Sequence, residues 1–273
     1  MFRFWYVLPP KIKKRFLLVL GAGLSSCPIF LKPAFRRTAP WFIGSSLLAL
    51  DTFVPQVNIL SKSFWRAKNV IQEIAITFDD GPDAEITPKL LDLLAQEKAK
   101  ATFFVLAKRA KRLPELIQRI EKEGHELAFH GLDHQKIWKL SLKKFSRQIE
   151  QGLAILESIS SKPIIWYRPP HGFIRFDQYL WLRKKGLRLA GWTIGVWDTD
   201  ENVTAQEISE RILASLRPGD ILLLHDGVAD RLRPQTAMLK AFKKTLPVIK
   251  KQGLKPLTLS SLWRISQGGI SAF

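Results

Sequence analysis

Residues 73–83, EIAITFDDGPD, form an apolar run that stops at two adjacent acids followed by Gly-Pro. Apolar residues before Asp79 are typical of a strand, on which neighbouring side chains point to opposite faces. Asp79 and Asp80 should therefore point in different directions, since two close carboxylates would repel each other. Two acids with different surroundings can do different work, so this stretch predicts a functional site at the end of a strand.

Short apolar runs alternate with amphipathic stretches from Glu73 onward. Thr87 and Thr204 are predicted to begin helices, the second with Glu207 in the spacing of a capping box. Seven strands alternating with helices predict parallel units in an α/β fold, either an open doubly wound sheet or a closed or nearly closed barrel. The predicted strands are Ile74–Phe78, Ala101–Leu106, His125–Phe129, Ile164–Arg168, Leu187–Thr193, Ile221–His225 and Pro256–Leu259.

The reactive side chains lie where these predicted strands end. Four of the five histidines are at or just past the end of a strand, as are Asp79 and Asp80. The loops that follow the strands share one face in β/α folds, and active sites form there. The sequence therefore predicts a single site at that face.

His130 and His134 are four residues apart, so both can face one side of a turn. Alone the pair is a weak indication, because the glutamate of the H-E-x-x-H zinc motif is missing. With a carboxylate from the end of the first strand, it would form a site that leaves coordination positions open, as catalytic zinc requires. The same ligands suit Fe(II), Co(II) or Ni(II), whereas the single cysteine, Cys27, excludes a cysteine-rich zinc site.

Five short motifs follow one another along the chain: TFDDGP (77–82), H-x-x-x-H (130–134), RPPHG (168–172), W-x5-D (192–198) and LLH (223–225). In this order they resemble the motifs of the polysaccharide deacetylases of the NodB-homology type, carbohydrate esterase family 4. The resemblance covers residues 71 to about 262. It implies a distorted (β/α) barrel of about seven strands at 71–273, preceded by an apolar, basic N-terminal segment at 1–70.

The resemblance assigns different roles to the two acids. Asp79 would be the general base that deprotonates the attacking water, and Asp80 would bind a divalent metal together with His130 and His134. Zn²⁺ is the first choice, with Co²⁺ or another transition metal as the alternative. A cation at this position would also offset the repulsion between the acids.

The same resemblance supplies the remaining site residues. Arg168 would keep the base ionised through a bidentate charged contact. His225 would be the general acid that protonates the leaving amine, oriented and kept cationic by Asp198. The backbone N–H of His171 would help to bind the tetrahedral oxyanion. The apolar slot for the acetyl methyl group would be lined by Leu223 and Trp192.

Three residues depart from the usual motifs of the family, and the fourth motif keeps only Asp198, with WDTD in place of the usual Asp-Trp pair. Gly131 replaces a Ser or Thr whose hydroxyl usually supports the metal-binding loop, which puts the rigidity of that loop in doubt. Gln135 replaces a proline, and His171 replaces a tyrosine while keeping a backbone donor. Every position with a predicted catalytic role is nevertheless filled.

Residues 1–70 differ in composition from the rest of the chain. They hold eleven Lys and Arg against one acid, Asp51, and two apolar runs, FLLVLGAGLSSCPIFL (16–31) and WFIGSSLLAL (41–50). Basic residues flank both runs, as they would at a lipid headgroup surface, so a membrane-associated segment is predicted. A cleaved signal peptide, for which no clear cleavage site is present, and an extra soluble layer are the alternatives.

These observations predict a membrane-associated enzyme of the cell envelope, with its catalytic domain facing the periplasm or the exterior. It would be a hydrolase of amide C–N bonds that removes N-acetyl groups from peptidoglycan or an exported glycan. The alternatives are a deacylase of a lipid-linked amino sugar and, against the intact site, a non-catalytic carbohydrate-binding module. A nucleic-acid partner is not expected, because the pI of about 10.2 comes without a recognition motif.

Overall fold

The computed structural model describes residues 61–229 and 235–268, so most of the predicted N-terminal segment, residues 1–60, lies outside the described residues. The described chain forms one sheet of nine parallel strands surrounded by helices. The strands are β1 (Ser63–Phe64), β2 (Glu73–Asp79), β3 (Thr102–Leu106), β4 (Glu126–Gly131), β5 (Trp166–Tyr167), β6 (Arg188–Ala190), β7 (Ile194–Gly195), β8 (Ile221–His225) and β9 (Lys255–Leu257).

The strand order is β1-β6-β5-β4-β3-β2-β8-β7, and β9 pairs with the first residues of β2. Within the described ranges no strand pairing joins β7 to β1, so the sheet curves into an incomplete barrel. The predicted distorted barrel of β/α units is confirmed, with two short strands, β1 and β7, that were not predicted. The predicted strand Leu187–Thr193 was too long, because the chain leaves the sheet at Ala190 and rejoins it at Ile194.

Eight α-helices accompany the strands, and none of those described is long and apolar enough to cross a membrane. The capping box of Thr204 and Glu207 is confirmed at the start of the helix Ala205–Ser215. The prediction of Thr87 as a helix cap was wrong, since the helix Ile86–Gln96 begins before Thr87 with Glu85 at its N-cap position, and the Thr87 hydroxyl donates to Asp226. The helices are α1 (Ile86–Gln96), α2 (Ala107–Arg112), α3 (Pro114–Lys122), α4 (Leu142–Glu157), α5 (Phe176–Lys184), α6 (Ala205–Ser215), α7 (Thr236–Lys251) and α8 (Leu259–Ser266).

Alternation along β2 separates the two sides of the barrel wall. Ile74, Ile76 and Phe78 belong to the large core between the strands and the helices. Ala75 belongs instead to a smaller cluster, which includes Phe104 and Trp166 and fills the barrel interior. The same alternation directs the last residue of β2 into the mouth of the barrel.

Candidate active site

The acid pair lies at a sharp corner where β2 ends. Asp79 is the last residue of the strand, whereas Asp80 has a φ of 71°, which turns the chain away from the strand direction. Both carboxylates are buried. The left-handed conformation of Asp80 gives the two side chains different partners, as the sequence predicted.

Three candidate metal ligands converge beside this corner. The Oδ1 atom of Asp80 lies 3.3 Å from Nε2 of His130 and 3.3 Å from Nε2 of His134. One ligand atom from each residue lies within 4.8 Å of the other two. Burial raises the pKa of the Asp80 carboxyl. The hydrogen bond with His130 and the charges of the nearby histidines lower this pKa by more than burial raises it, so the net pKa is below its ordinary value.

This donor set fits a divalent transition metal. The Nδ1 atom of His130 lies 2.8 Å from the backbone oxygen of Arg168, which fixes Nδ1 as the protonated nitrogen and leaves Nε2 as the ligand atom. Two imidazole nitrogens and one carboxylate oxygen suit zinc, cobalt and iron. The described residues therefore provide a three-ligand site with room for further ligands.

The loop between the two histidines depends on unusual backbone conformations. Gly131 ends β4 with a φ of 112°, and the register with β3 shifts at this point. His134 has a φ of 60°. This geometry suits the glycine at position 131, since a side chain is strained at that φ.

Arg168 connects the floor of the site to Asp79. Its fully buried guanidinium donates to Oδ1 of Asp79 at 2.6 Å, to Oγ1 of Thr77 at 2.8 Å and to the backbone oxygen of Gly191 at 2.8 Å. The guanidinium carbon also lies 4.1 Å from the centre of the Phe104 ring. The predicted bidentate contact was wrong, because Nη1 donates to Asp79 whereas Nη2 donates to Gly191. With Oδ1 held by the arginine, Oδ2 remains as the oxygen of Asp79 that faces His130, at 3.7 Å from Nε2.

A second acid–histidine pair joins the last residue of the neighbouring strand β8 to the turn that follows β7. Asp198 accepts from the backbone N–H of His225 at 2.7 Å and lies 3.0 Å from its Nδ1. Burial lowers the pKa of His225, but the charge and hydrogen bond of Asp198, followed by the charges of Asp80 and Asp79, raise it to about 9. His225 is therefore a cation at neutral pH, with Nδ1 held and Nε2 available as a proton donor.

The predicted substrate-binding residues also lie at this end of the barrel. His171 follows β5 with a φ of 60°, and its exposed ring lies 4.5 Å from the ring of His134. Leu223 is buried on β8, two residues before the end of the strand, and the Trp192 ring lies 5.7 Å from the Arg168 guanidinium. All ten residues predicted for the site are thus grouped at the carboxyl end of the strands, and their individual roles stay predictions.

Two features that support Asp80 were not predicted. The Arg109 guanidinium donates to the backbone oxygen of Asp80 at 2.9 Å and to that of Val228 at 2.7 Å. The backbone N–H of Ala229 donates to Oδ2 of Asp80 at 3.2 Å. Arg109 lies in the sequence AKRAKR, where neither spacing nor composition separates it from the exposed lysines and arginines around it.

Asp226 is a third feature that the sequence analysis missed. It is buried directly after His225, and Thr87 donates to its Oδ2 at 2.5 Å. Burial, together with the charges of Asp83 and Asp80, raises the pKa of Asp226 to about 7. Its carboxylate leaves no room for a side chain at Gly81, which explains the glycine after the acid pair.

Known proteins are similar to this chain in sequence and in architecture. The sequence profile of polysaccharide deacetylases matches residues 67–190. A peptidoglycan-N-acetylglucosamine deacetylase of Bacillus cereus is 37% identical over 204 residues, which cover 73% of this chain and 92% of that protein. The chain belongs to the polysaccharide deacetylase family. The predicted membership of this family of amide hydrolases is therefore confirmed.

Other members of the family agree with this assignment. A chitooligosaccharide deacetylase of Sinorhizobium fredii is 36% identical over 155 residues, which cover 56% of this chain and 72% of that protein. The crystal structure of a peptidoglycan N-acetylglucosamine deacetylase, Bc1960, superposes with a TM-score of 0.68 at 31% identity, covering 72% of this chain and 91% of that one. This polysaccharide deacetylase therefore shares both the fold and a substantial part of its sequence with these enzymes.

Proposed function

We propose that this polysaccharide deacetylase is a metal-dependent enzyme that removes N-acetyl groups from N-acetylglucosamine residues of a cell-wall polymer, with peptidoglycan as the first candidate. The observation that carries the proposal is the arrangement of Asp80, His130 and His134 between a buried base, Asp79, and a cationic acid, His225. The relatives named for peptidoglycan and for chitooligosaccharides support an N-acetylglucosamine polymer as the substrate class.

The metal proposed is Zn²⁺, with Co²⁺ as the alternative, held by Asp80, His130 and His134. When bound, such an ion supplies a Lewis acid for the acetyl carbonyl and makes water a stronger acid at neutral pH. The backbone oxygen of Arg168 keeps the ligand nitrogen of His130 unprotonated, and the N–H of Ala229 holds the second carboxylate oxygen of Asp80. These contacts would preorganise the ligands before the ion binds.

The chain's own groups would divide the proton transfers between them. Asp79 would accept the proton of the attacking water at Oδ2, because Arg168 holds its Oδ1. His225 would donate a proton from Nε2 to the leaving nitrogen, because Asp198 holds its Nδ1. The N–H of His171 would stabilise the oxyanion. The apolar slot for the methyl group would be formed by Leu223 and Trp192.

Acetate release by the full chain tests this proposal directly. The protein would be loaded with Zn²⁺ or Co²⁺ and given a soluble N-acetylglucosamine oligomer and purified peptidoglycan. We expect release that stops on chelation and falls by about 10³-fold or more in Asp80→Asn, which keeps the shape of the side chain but removes the ligand charge. Asp92→Asn, which alters an exposed carboxylate on α1, is the matched control and should release acetate at the native rate.

The result also separates the alternatives. Metal bound at one equivalent without acetate release from either substrate would favour a lipid-linked amino sugar and contradict the polymer as substrate. A protein that binds no metal and releases no acetate would instead be a non-catalytic carbohydrate-binding module.

We further propose a location in the cell envelope, associated with the membrane through residues 1–70 and with the catalytic domain facing the periplasm or the exterior. The basic and apolar composition of that segment supports this location, as does a substrate that lies outside the membrane. Protease protection of the full chain in intact cells and in spheroplasts would test it, since an externally placed domain is cleaved once the wall is removed.

A further inference from the structure

The end of the barrel opposite the active site carries two neighbouring basic grooves. Their walls include the first residues of four strands, which places both grooves at the amino-terminal ends of the sheet. Trp263 and Arg264 are adjacent on α8 but line different grooves, so the two grooves lie side by side. The strand residues concerned are Ser63, Glu126, Trp166 and Arg188.

The larger groove, of about 690 Å³, is lined by four cations and two carboxylates. The two carboxylates accept hydrogen bonds from neutral donors and form no ion pair with these cations. Glu121 accepts from Oγ of Ser161 at 2.9 Å, and Glu126 accepts from Oγ1 of Thr102 at 2.8 Å. The two carboxylates offset part of the positive charge, and the groove keeps an excess of two cations. The cations are Lys98, Lys100, Lys162 and Arg264.

The smaller groove, of about 370 Å³, is lined by three cations, Lys62, Arg183 and Arg188, and by no carboxylate. The Arg188 guanidinium lies 3.8 Å from the centre of the Trp263 ring. Guanidinium groups beside tryptophan rings suit a lipid headgroup region, where phosphates and apolar groups lie close together.

Residues 1–60 join the domain at this same end. Lys62 precedes β1, and β1 runs parallel to β6, so the chain enters the sheet at the end where the grooves lie. The preceding segment combines basic residues with apolar runs. The metal-ligand cluster lies at the opposite end, where β2, β4 and β8 finish.

From this arrangement we propose that the basic end of the barrel docks on an anionic lipid bilayer and directs the active site away from the membrane. Each lysine or arginine close to an anionic bilayer strengthens binding by about fivefold, within a Debye length of about 10 Å at 0.1 M salt. The orientation presents the site to a polymer outside the membrane rather than to a sugar held in the membrane plane. It depends on the surface charge and not on the proposed reaction.

Vesicle binding by the full chain tests the docking surface. The probes are vesicles of phosphatidylcholine with 30% phosphatidylglycerol and vesicles of phosphatidylcholine alone. The variant reverses four exposed cations that form no ion pair with another described residue. A matched variant reverses three lysines and one arginine on α2 and α4, which follow β3 and β4 towards the active-site end. The first variant is Lys62→Glu, Lys98→Glu, Lys162→Glu and Arg183→Glu, and the second is Lys111→Glu, Lys143→Glu, Lys144→Glu and Arg147→Glu.

We expect the native chain to bind anionic vesicles more tightly than neutral ones. In the variant at the basic end, this ratio of affinities should be at least tenfold smaller. The matched variant should stay within about threefold of the native chain, and both should release acetate from a soluble oligomer at the native rate. Equal losses in the two variants, or no native preference for anionic vesicles, would overturn the proposal. A third result would also overturn it: the native chain binds duplex DNA, and the first variant loses DNA binding but keeps vesicle binding. The basic end would then be a nucleic-acid-binding surface.

Discussion

The two ends of the barrel use charge in opposite ways. At the carboxyl end of the strands, Asp79, Asp80 and Asp198 are buried and each contacts a cationic or imidazole group. At the amino end the cations are exposed, and the nearby carboxylates are engaged by hydroxyl and N–H groups. Burial makes the first set of charges sensitive to single contacts, whereas exposed charges act through their sum.

Strand β4 shows the same difference between two histidines. His130, next to the end of the strand, has its Nδ1 beside the backbone oxygen of Arg168 and its Nε2 beside Asp80. His125, just before the strand, accepts from the backbone N–H of Ala101 at its Nδ1, at 3.3 Å. Burial, with the charges of Lys100 and Arg119, lowers the pKa of His125 to about 4. The same side chain is thus a candidate ligand at one end and a neutral structural group at the other.

The largest effect is expected from Asp198→Asn, which removes the carboxylate that keeps His225 cationic. We expect the turnover rate at pH 7.5 to fall by about 10²–10⁴-fold, because the general acid loses its proton and its orientation. His225 is active in its protonated form, so activity should persist below its raised pKa and decline as the pH rises through it. In the variant this decline should move down towards an ordinary histidine pKa of about 6.5.

Turnover on a soluble oligomer from pH 6 to 10 checks this prediction. In the metal-loaded enzyme the native decline should lie somewhat below pH 9, because the cation offsets the charge of Asp80. Asp200→Asn changes an exposed carboxylate in the same turn and should leave the pH profile unchanged. An Asp198→Asn profile that matches the native one would show that His225 is not the acid.

His125→Asn tests the opposite end and should affect stability instead of activity. An unfolded chain takes up a proton at His125 near pH 6.5, whereas the folded chain resists it down to about pH 4. The native protein should therefore lose up to about 3 kcal/mol of stability from this group as the pH falls through that window. The asparagine variant keeps an acceptor for Ala101 but has no proton to bind, so it should not show this loss.

Urea unfolding of the metal-free proteins at pH 7.5 and 4.5 measures the difference. Gln252→Asn, which changes an exposed and uncharged side chain just before β9, is the control and should follow the native pH dependence. Identical pH dependence in native protein and His125→Asn would contradict the lowered pKa. Loss of acetate release in His125→Asn at pH 7.5 would contradict the separation of the two ends.

The sequence predicted most of the strands and the grouping of the candidate site residues at one end because both leave local patterns, while the roles of those residues stay predictions. Apolar runs mark the buried strands, and the acids and histidines that follow them must meet at one end of a parallel sheet. Strands β1 and β7 have two residues each, which is too short for any periodicity, whereas the equally short β5 lies inside the predicted run Ile164–Arg168. Arg109 was missed for a different reason, because it binds backbone oxygens, and no residue type at positions 80 or 228 reveals that contact.

Arg109→Met should weaken metal binding, which sharpens the description of the carboxyl end. Methionine keeps the unbranched apolar stem but lacks the guanidinium that donates to the backbone oxygens of Asp80 and Val228, so the strained corner at Asp80 loses support. Changes to groups that orient a ligand typically cost 10–100-fold in metal affinity. Titration with Co²⁺, followed by its visible absorption, measures this effect without relying on activity.

Arg112→Met is the matched control, since Arg112 is exposed at the end of the same helix. Its Co²⁺ affinity should be native. Recovery of part of the affinity of Arg109→Met on adding guanidinium at low, non-denaturing concentration would show that the lost hydrogen bonds are responsible. Unchanged Co²⁺ affinity and spectrum would show that Ala229 and the strand alone hold the ligand in place.

The smallest effects are expected from serine at two glycines, one at each end. Gly131 and Gly186 both have positive φ, at 112° and 79°, so either substitution should destabilise the fold by about 1–2 kcal/mol. A side chain at Gly131 would also lie 3.3 Å from the Pro170 ring, whereas one at Gly186 would meet nothing within 4 Å. Gly131→Ser should therefore displace the loop that carries His130 and His134, and only this variant should lose Co²⁺ affinity.

Thermal unfolding and Co²⁺ titration of both variants distinguish strain from function. A Gly131→Ser protein that binds Co²⁺ more tightly than the native chain would mean that the backbone relaxes and the hydroxyl supports the loop. Weaker binding in Gly186→Ser would mean that the two ends of the barrel are coupled. The geometry predicts that both variants lose stability, because each glycine has a positive φ. It predicts altered metal binding only in Gly131→Ser, because Gly131 lies in the loop that carries the candidate ligands.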